Sequence, residues 1–328
     1  MIGRREFITL LGGATVAWPM AARAQQSAMP VIGFVHAGSP EPATQLVASF
    51  RRGLSEAGFV EGRNITIEYR WGHDDPTRLT EGVADLVRRQ VAVITTLGGT
   101  APPLAASAAT ATIPIVFGMG GDPVQIGLVS SLNRPGGNVT GVNFMSGELG
   151  GKRLTLLHEL LPRAERFGVL VNPNAAIVAT EIADTRAAAS VIGLDIEVDA
   201  AATRQDIDAA ITRLGQRRID ALLISPDALF LNRRVQIVTL SVRHVLPTIF
   251  AFREYAEAGG LMSYGASLLE QSRQTGVYTG RILKGERPSD LPVLRATKFE
   301  LVINLQTATV LGLDVPPMLL GRADEVIE

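Results

Sequence analysis

The sequence predicts an α/β protein with two lobes, each built on a parallel sheet that is covered by helices on both faces. Three observations support this prediction. Short runs rich in valine and isoleucine alternate with helical patterns from Pro30 onward, which is typical of βαβ units. The same order of elements occurs in two consecutive series of similar length. Two short returns near the C-terminus indicate that the chain crosses between the lobes more than once, and three crossings would form a hinge.

The first series contains four strand-like segments with amphipathic segments between them. Helical spacing is clear in 45–56, where Leu46, Phe50 and Leu54 recur on one face. The predicted strands are 31–35, 65–69, 91–95 and 113–117, and a strand-like segment at 139–144 follows the loop-rich passage 133–138.

The second series repeats this order and leads into a C-terminal part that returns to both lobes. Its predicted strands are 167–171, 194–198, 221–225 and 248–252, separated by helical patterns at 147–161, 175–191, 203–214 and 231–244. The C-terminal part adds a strand at 261–264, a helix near 267–284, and a last strand and helix within 299–311. We therefore expect an N-terminal lobe of 30–144 plus 250–286 and a C-terminal lobe of 145–249 plus 287–328.

The N-terminal segment 1–24 has the pattern of an export signal. Arg4 and Arg5 precede an apolar stretch at 7–17 that is too short to span a bilayer, and Ala22-Arg23-Ala24 predicts cleavage after Ala24. The arginine pair resembles a twin-arginine signal, although its flanking residues depart from the usual ones. The Sec route and an N-terminal amphipathic helix are the alternatives. The pattern predicts a periplasmic protein.

Composition excludes several classes of function. The formal net charge of −1 argues against nucleic acid as a partner, because phosphate binding needs a concentrated basic face. The absence of cysteine excludes disulfides, cysteine-based zinc sites, a thiol nucleophile and a lipid-modified cysteine. The four histidines have no metal-ligand spacing, and no catalytic motif is present. We therefore expect no catalytic residues, no metal and no cofactor.

The candidate binding loops follow from the predicted topology. In open parallel sheets, ligands bind beyond the carboxyl ends of the strands, where the strand order reverses. With the order 2-1-3-4 in each lobe, the relevant loops follow the first and third strands. The candidate residues on these loops are Ala37, Gly38, Ser39, Gly98, Gly99, Thr100, Asn174, Ala175 and Asp227. Glycine lets a backbone approach a ligand closely, and a helix start after Thr100 offers N–H groups to a carboxylate.

Several candidates also have a purely structural interpretation. Thr100 and Asp227 could each cap a helix without any ligand. Asp122 lies in a sequence typical of a turn, and Tyr264 at the end of a strand could belong to the core. Trp71 is predicted at the carboxyl end of the second strand, where it would either face the cleft or cover the flank of the sheet.

Four stretches of the chain resemble ABC transporter substrate-binding proteins, in the branch that includes tryptophan and tyrosine uptake proteins. They are DPVQIGLV at 122–129, PGGNVTG at 135–141, EAGGLMSYG at 257–265 and LPVLRATKFELVINL at 291–305. The match covers essentially all of the chain after the N-terminal segment. The resemblance implies the type 1 periplasmic-binding fold, in which two Rossmann-like lobes are joined by three crossovers.

The resemblance also implies a function and a site. It implies a periplasmic component of an ABC importer that captures a small carboxylate-bearing molecule, either an amino acid or an aromatic or organic acid, in the cleft between the lobes. Residues Gly98 to Thr100 would hold the ligand carboxylate and Asp227 an ammonium, with Asp122, Asn174 and Tyr264 lining the cleft. The amino-acid-binding members have a Thr-Pro-Ala kind of loop where this chain has Gly-Gly-Thr, so ligands other than amino acids stay open.

The expected partners are a small-molecule ligand and an ABC permease in the inner membrane, and the protein is expected to be a monomer. Two other functions remain as alternatives at this point. One is a periplasmic enzyme on a doubly wound scaffold, since a fold alone does not define a function. The other is the ligand-binding subunit of a membrane sensor.

Overall fold

The computed structural model describes residues 29–175 and 178–328, so the predicted export signal lies outside the described residues. The strands, in chain order, are β1 Val31–His36, β2 Thr66–Trp71, β3 Val93–Leu97, β4 Ile115–Met119, β5 Val139–Asn143, β6 Arg166–Val171, β7 Asp195–Ala200, β8 Ala221–Ile224, β9 Thr248–Phe250, β10 Met262–Ala266, β11 Leu294–Arg295, β12 Phe299–Asn304 and β13 Glu325–Ile327.

The helices alternate with these strands. In chain order they are α1 Thr44–Glu56, α2 Pro76–Arg88, α3 Ala101–Ala109, α4 Gly150–Leu160, α5 Val178–Val191, α6 Arg204–Gln216, α7 Ala228–Asn232, α8 Arg234–Arg243, α9 Arg253–Glu257, α10 Leu268–Leu283, α11 Leu305–Val310 and α12 Pro317–Leu320. Short 3-10 turns lie at Ser146–Leu149 and Pro288–Asp290.

The first sheet has the predicted 2-1-3-4 order and is parallel throughout. Its full order is β2-β1-β3-β4-β5-β11. Strand β1 lies between β2 and β3, so that Ile32 is opposite both Ile67 and Val93. Strands β3, β4 and β5 are buried along their whole length, as expected for a parallel sheet with helices on both faces. The order reverses between β1 and β3.

The second sheet repeats this order and extends it, with one departure from the predicted parallel arrangement. Its order is β7-β6-β8-β9-β10-β12-β13, and β12 runs antiparallel to β10. The departure has a geometric cause. The chain enters β12 from β11 of the other lobe, so it starts at the carboxyl edge of the second sheet, with Phe299 opposite Ala266.

The chain crosses between the lobes three times, and two predicted lobe boundaries need correction. The first crossing lies between β5 and the turn at Ser146, the second between β10 and α10, and the third between β11 and β12. Residues 250–286 were expected to belong entirely to the N-terminal lobe. They are divided between the lobes, because β10 pairs with β9 and β12 in the second sheet, whereas α10 packs on the first lobe. Likewise β11, expected in the C-terminal lobe, pairs with β5 of the first sheet.

Helices α1 and α10 pack almost backbone to backbone on the first lobe. A Cβ atom at Gly53 would lie 1.8 Å from the carbonyl oxygen of Arg273, and one at Gly276 would lie 2.2 Å from that of Phe50. Only glycine fits at either position. At its N-terminus, α10 is capped by Ser267, which accepts a hydrogen bond from the Glu270 N–H at 3.3 Å. This packing fixes the first turn of α10 beside the space between the lobes.

Candidate functional site

A cavity of about 310 Å³ lies between the carboxyl edges of the two sheets, and we call it the interlobe cavity. Loops after β1, β3, β6 and β8 form its walls, which are the four loops that the predicted strand order selects. The crossovers contribute as well, through Phe144 and Ser146 from the first and Leu268 and Gln271 from the second. Of the predicted site residues, it is lined by Ala37, Gly98, Gly99, Thr100, Asn174, Ala175 and Asp227.

The loop after β3 brings backbone to the cavity wall. Gly98 and Gly99 have φ angles of +82° and +104°, a conformation that favours glycine. A Cβ at Gly98 would lie 2.8 Å from the His36 ring, and one at Gly99 would lie 3.4 Å from the Cβ of Ala228 in the other lobe. The loop therefore faces the loop after β8 across a narrow gap.

Thr100 precedes α3 but makes no capping hydrogen bond. A capping side chain accepts from the N–H of the second or third helical residue, and these are Pro102 and Pro103, which have none. The Thr100 hydroxyl is thus not used by the helix. The first four N–H groups of a helix normally have no partner within the helix. Because two of these four positions are proline here, only the N–H groups of Thr100 and Ala101 remain.

His36 forms the floor beneath Gly98 and stays neutral. Its ring is 4 % exposed, and the Gly38 N–H donates to Nδ1 at 3.0 Å. Because Nδ1 accepts this bond, the proton of the neutral ring is assigned to Nε2. Burial lowers the pKa of His36 to about 4.

This buried histidine predicts an acid-sensitive stability. Below pH 6.5 the unfolded chain binds a proton at His36 that the folded protein does not bind, so stability falls from about pH 6.5 down to about pH 4. The difference of pKa corresponds to at most about 3 kcal/mol. We expect His36→Asn, which keeps an acceptor for Gly38, to reduce this loss when urea midpoints at pH 7 and pH 4.5 are compared by circular dichroism. His73→Asn, at an exposed histidine, is the control, and equal losses in both variants would contradict the assignment.

Asp227 performs the capping role that the sequence allowed and still presents an oxygen to the cavity. Its Oδ1 accepts from the N–H groups of Leu229 at 2.9 Å and Phe230 at 3.4 Å, and from Asn172 Nδ2 at 3.1 Å. All hydrogen bonds that it accepts from described residues reach Oδ1, so Oδ2 is left for a ligand. Burial raises the pKa of this carboxyl.

Behind Asp227 lies a buried ion pair. Arg153 is fully buried and Glu181 is 2 % exposed, with 3.6 Å between Arg153 Nη2 and Glu181 Oε1. Glu181 also accepts from the hydroxyl of Ser225, and Arg153 Nη2 donates to the carbonyl of Ser146 at 2.9 Å. Burial raises the pKa of Glu181 and lowers that of Arg153 to about 10. The pair connects the first crossover to the loop that carries Asp227.

Four predicted site residues lie outside the interlobe cavity. Asp122 is exposed and closes a turn, with Oδ1 accepting from the Val124 N–H at 2.8 Å. Tyr264 is half-buried and packs from one face of β10 against the core of the second lobe, with its ring centroid 6.3 Å from that of Phe299. The hydroxyl of Ser39 lies 3.1 Å from Nδ1 of His73.

Gly38, the fourth, meets the other lobe instead of the cavity. A Cβ at Gly38 would lie 2.2 Å from Nδ2 of Asn232, which itself donates to Asp74 Oδ1 at 2.8 Å. On another side of the cleft, Gln125 Nε2 donates to Thr180 Oγ1 at 3.1 Å. These contacts join the two lobes and close the cleft over the interlobe cavity.

Trp71 covers the flank of the first sheet, which was the alternative to a place in the cleft. It packs with Phe34 and Tyr69 at ring-centroid distances of 5.9 and 6.2 Å and is not a lining residue. Its ring also lies 5.3 Å from that of His36, which does line the cavity. Trp71 is therefore one side chain removed from any ligand.

Several lining residues were not among those expected from the sequence. Asp74, Asn232, Arg234 and Gln271 contribute polar groups, and Phe144, Leu229 and Phe252 contribute apolar surface. Most of them lie on helices or crossovers, which reach the cleft through the tertiary fold. Within the described residues, no group of three potential metal ligands occurs and no helix is long and apolar enough to cross a membrane.

Comparisons with known proteins agree with this architecture. The family model described as ABC transporter substrate binding protein matches residues 31–327. A tyrosine-binding protein of Clostridioides difficile is 26% identical over 266 residues, which cover 80% of this chain and 75% of that protein.

Two solved structures give the fold in detail. A conserved domain protein of Vibrio cholerae superposes with a TM-score of 0.85 at 26% identity, covering 91% of this chain and all of the other. A domain from Streptococcus pneumoniae, solved in complex with L-Trp, superposes with a TM-score of 0.84 at 24% identity, covering 92% of this chain and 100% of that one.

Proposed function

Because the chain belongs to the ABC transporter substrate-binding protein family, its role is to bind a ligand for an ABC transporter, and we propose that this ligand is a zwitterion of the amino-acid class. The observation that carries the proposal is that a hydrogen-bond acceptor and a set of hydrogen-bond donors, each free to bind a ligand, lie on opposite walls of the interlobe cavity. Asp227 Oδ2 lies on one wall, and the unused hydroxyl of Thr100 lies on the other with the N–H groups of Thr100 and Ala101. A relative that is named for tyrosine binding supports the same class.

The ligand's ammonium group is assigned to Asp227. The hydrogen bonds to Oδ1 already hold the Asp227 side chain in place, so this side chain loses little conformational entropy when the ligand binds. An ammonium ion at Oδ2 would also offset the cost of the buried negative charge, which is the reason for the raised pKa.

The α-carboxylate of the ligand is assigned to the loop at Thr100. Two N–H groups and one hydroxyl are available there, beside glycines that let the ligand approach the backbone. The remaining walls carry Leu97, Leu229, Phe144 and Phe252, which favour an apolar or aromatic side chain.

Three matched probes test the proposal. We expect L-phenylalanine to raise the thermal midpoint of the purified protein, because a ligand that binds only the folded state stabilises it. L-Phenylalaninamide lacks the carboxylate, and 3-phenylpropionate lacks the ammonium; both should produce a smaller shift at equal concentration. An equal shift with 3-phenylpropionate would contradict the role of Asp227 and favour an organic acid as ligand.

The proposal includes delivery to a membrane permease, binding without catalysis, and a monomeric state. It also includes export, by the twin-arginine route, to the periplasm. We expect N-terminal sequencing of periplasmic protein to begin at Gln25 and export to stop when Arg4 and Arg5 are both replaced by lysine. Recovery of a periplasmic protein that retains Met1 would contradict cleavage, and normal export of the double variant would indicate the Sec route.

A further inference from the structure

A second cavity of about 430 Å³, here called the side cavity, adjoins the interlobe cavity. It lies between the start of α1 and the elements α7, α8, α9 and α10. The residues that line both cavities lie between them, and they are Pro42, Leu46, Leu231, Arg234 and Leu268. Four of the five are apolar, and the fifth is an arginine.

Arg234 is the only arginine or lysine that lines the interlobe cavity among the described residues. Its Nη1 donates to the carbonyl of Leu231 at 3.2 Å. Its neighbour Arg233 lies 3.9 Å from Asp74, and Arg253 pairs with several carboxylates, whereas Arg234 enters none of the ion pairs between described residues. The remaining donors of its guanidinium group are available to a ligand.

Apart from Asp227, which is assigned to the ammonium group of the ligand, the carboxylates that line the two cavities are engaged elsewhere, exposed or partly protonated. In the interlobe cavity, Asp74 accepts from Asn232, and Asp75 caps α2 through the Thr77 N–H at 2.8 Å. In the side cavity, Glu257 pairs with Arg253 at 2.8 Å, and Glu41 is exposed.

Glu254 is the remaining acid of the side cavity. Its Oε2 is buried and has no partner among the described residues, and burial raises its pKa to about 7. Near neutral pH this group is partly protonated, so it neutralises Arg234 only in part.

We propose that Arg234 determines specificity for a ligand whose side chain ends in a carboxylate. The inference rests on the proposed amino-acid head group at Asp227 and Thr100. The side chain of the ligand extends from that site along Leu46, Leu231 and Leu268, which line the interlobe cavity, and its terminal carboxylate accepts from the guanidinium of Arg234. The ligand class is an amino acid with an apolar body and a distal anionic group.

Calorimetric titration with three amino acids tests this inference. The probes are L-phenylalanine, 4-carboxy-L-phenylalanine and 4-aminomethyl-L-phenylalanine, which share a head group and differ in distal charge. We expect the parent protein to bind the 4-carboxy compound at least about tenfold more tightly than phenylalanine, as one charge-assisted hydrogen bond allows. We expect the 4-aminomethyl compound to bind more weakly than phenylalanine.

Variants of Arg234 separate this role from a structural one. Arg234→Met should remove the preference for the 4-carboxy compound over phenylalanine, whereas Arg234→Lys should keep part of that preference. Arg243→Met, at an exposed arginine on the same helix, is the matched control and should behave as the parent.

The possible outcomes are distinct. Tighter binding of the 4-aminomethyl compound, or equal binding of the carboxy compound and phenylalanine, overturns the role of Arg234 while the head-group site stands. A preference that survives in Arg234→Met overturns it as well. If the parent binds none of the three, the head-group site itself is wrong and the inference falls with it.

Discussion

Replacing Asp227 with asparagine is expected to weaken ligand binding by at least about thirty-fold and, at the same time, to raise the thermal midpoint of the unliganded protein. Loss of a buried charged partner costs on the order of 2 kcal/mol or more, which sets the fold-change. Stability should move the other way because the pKa of Asp227 is raised in the folded protein. A carboxyl group with a raised folded pKa destabilises the protein as pH rises above its unfolded pKa, and asparagine is free of that cost.

The asparagine variant is more informative than alanine, because its Oδ1 still accepts from Leu229, Phe230 and Asn172. Titration calorimetry with L-phenylalanine and a thermal scan without ligand measure the two effects. Asp122→Asn is the matched control, since Asp122 has the same kind of turn hydrogen bond outside the cavity. Affinity of Asp227→Asn equal to that of the parent would remove Asp227 from the site, and a lower midpoint would show that its charge stabilises the fold.

Breaking the buried ion pair is expected to have the largest effect on stability. Glu181→Gln leaves the charge of Arg153 fully buried without an anion, which costs about 3–5 kcal/mol. Arg153→Met should cost a similar amount at pH 7 and less at pH 5. The relief at pH 5 follows because burial already raises the pKa of Glu181, so that the unpaired acid is protonated as pH falls. Glu181→Gln has no such relief, because Arg153 keeps its proton throughout this range.

The double variant Arg153→Met, Glu181→Gln should be closer to the parent in stability than either single variant, because no uncompensated charge is left. Urea unfolding followed by circular dichroism at both pH values measures all three. Arg287→Met, which breaks an exposed pair with Asp290, is the control and should cost less than about 1 kcal/mol. Additive losses in the double variant would mean that the two charges do not act as a pair.

The position of the interlobe cavity could be predicted from the sequence because it depends on strand order. Periodicity identifies the strands, and once the order 2-1-3-4 is assumed for each lobe, the loops after the first and third strands meet at one edge, which the strand orders of both sheets bear out. This reasoning reached Gly98, Gly99, Thr100 and Asp227. From the sequence, Thr100 was a candidate cap of α3, but the two prolines that follow Ala101 exclude this because they have no N–H to donate.

The remaining lining residues could not be predicted by the same rule. Arg234 and Gln271 lie on helices, and Phe144 lies on a crossover, so their place depends on how the lobes are arranged rather than on any local pattern. Asp122 and Tyr264 show the opposite error. Both residues lie in motifs that resemble those of the family, yet Asp122 closes a turn and Tyr264 packs against the core. A motif can be needed for its backbone shape or its packing as well as for ligand binding.

The contact between Gly38 and Asn232 has a consequence for affinity. A methyl group at position 38 would lie 2.2 Å from Nδ2 of Asn232, so this side chain would have to move and its hydrogen bond to Asp74 across the cleft would be disturbed. Such a change would lower the population of closed molecules, and the apparent dissociation constant is the intrinsic one divided by that fraction. Selection can therefore tune how tightly this protein holds its ligand by altering the conformational equilibrium at this contact, while the chemistry that recognises the ligand stays the same.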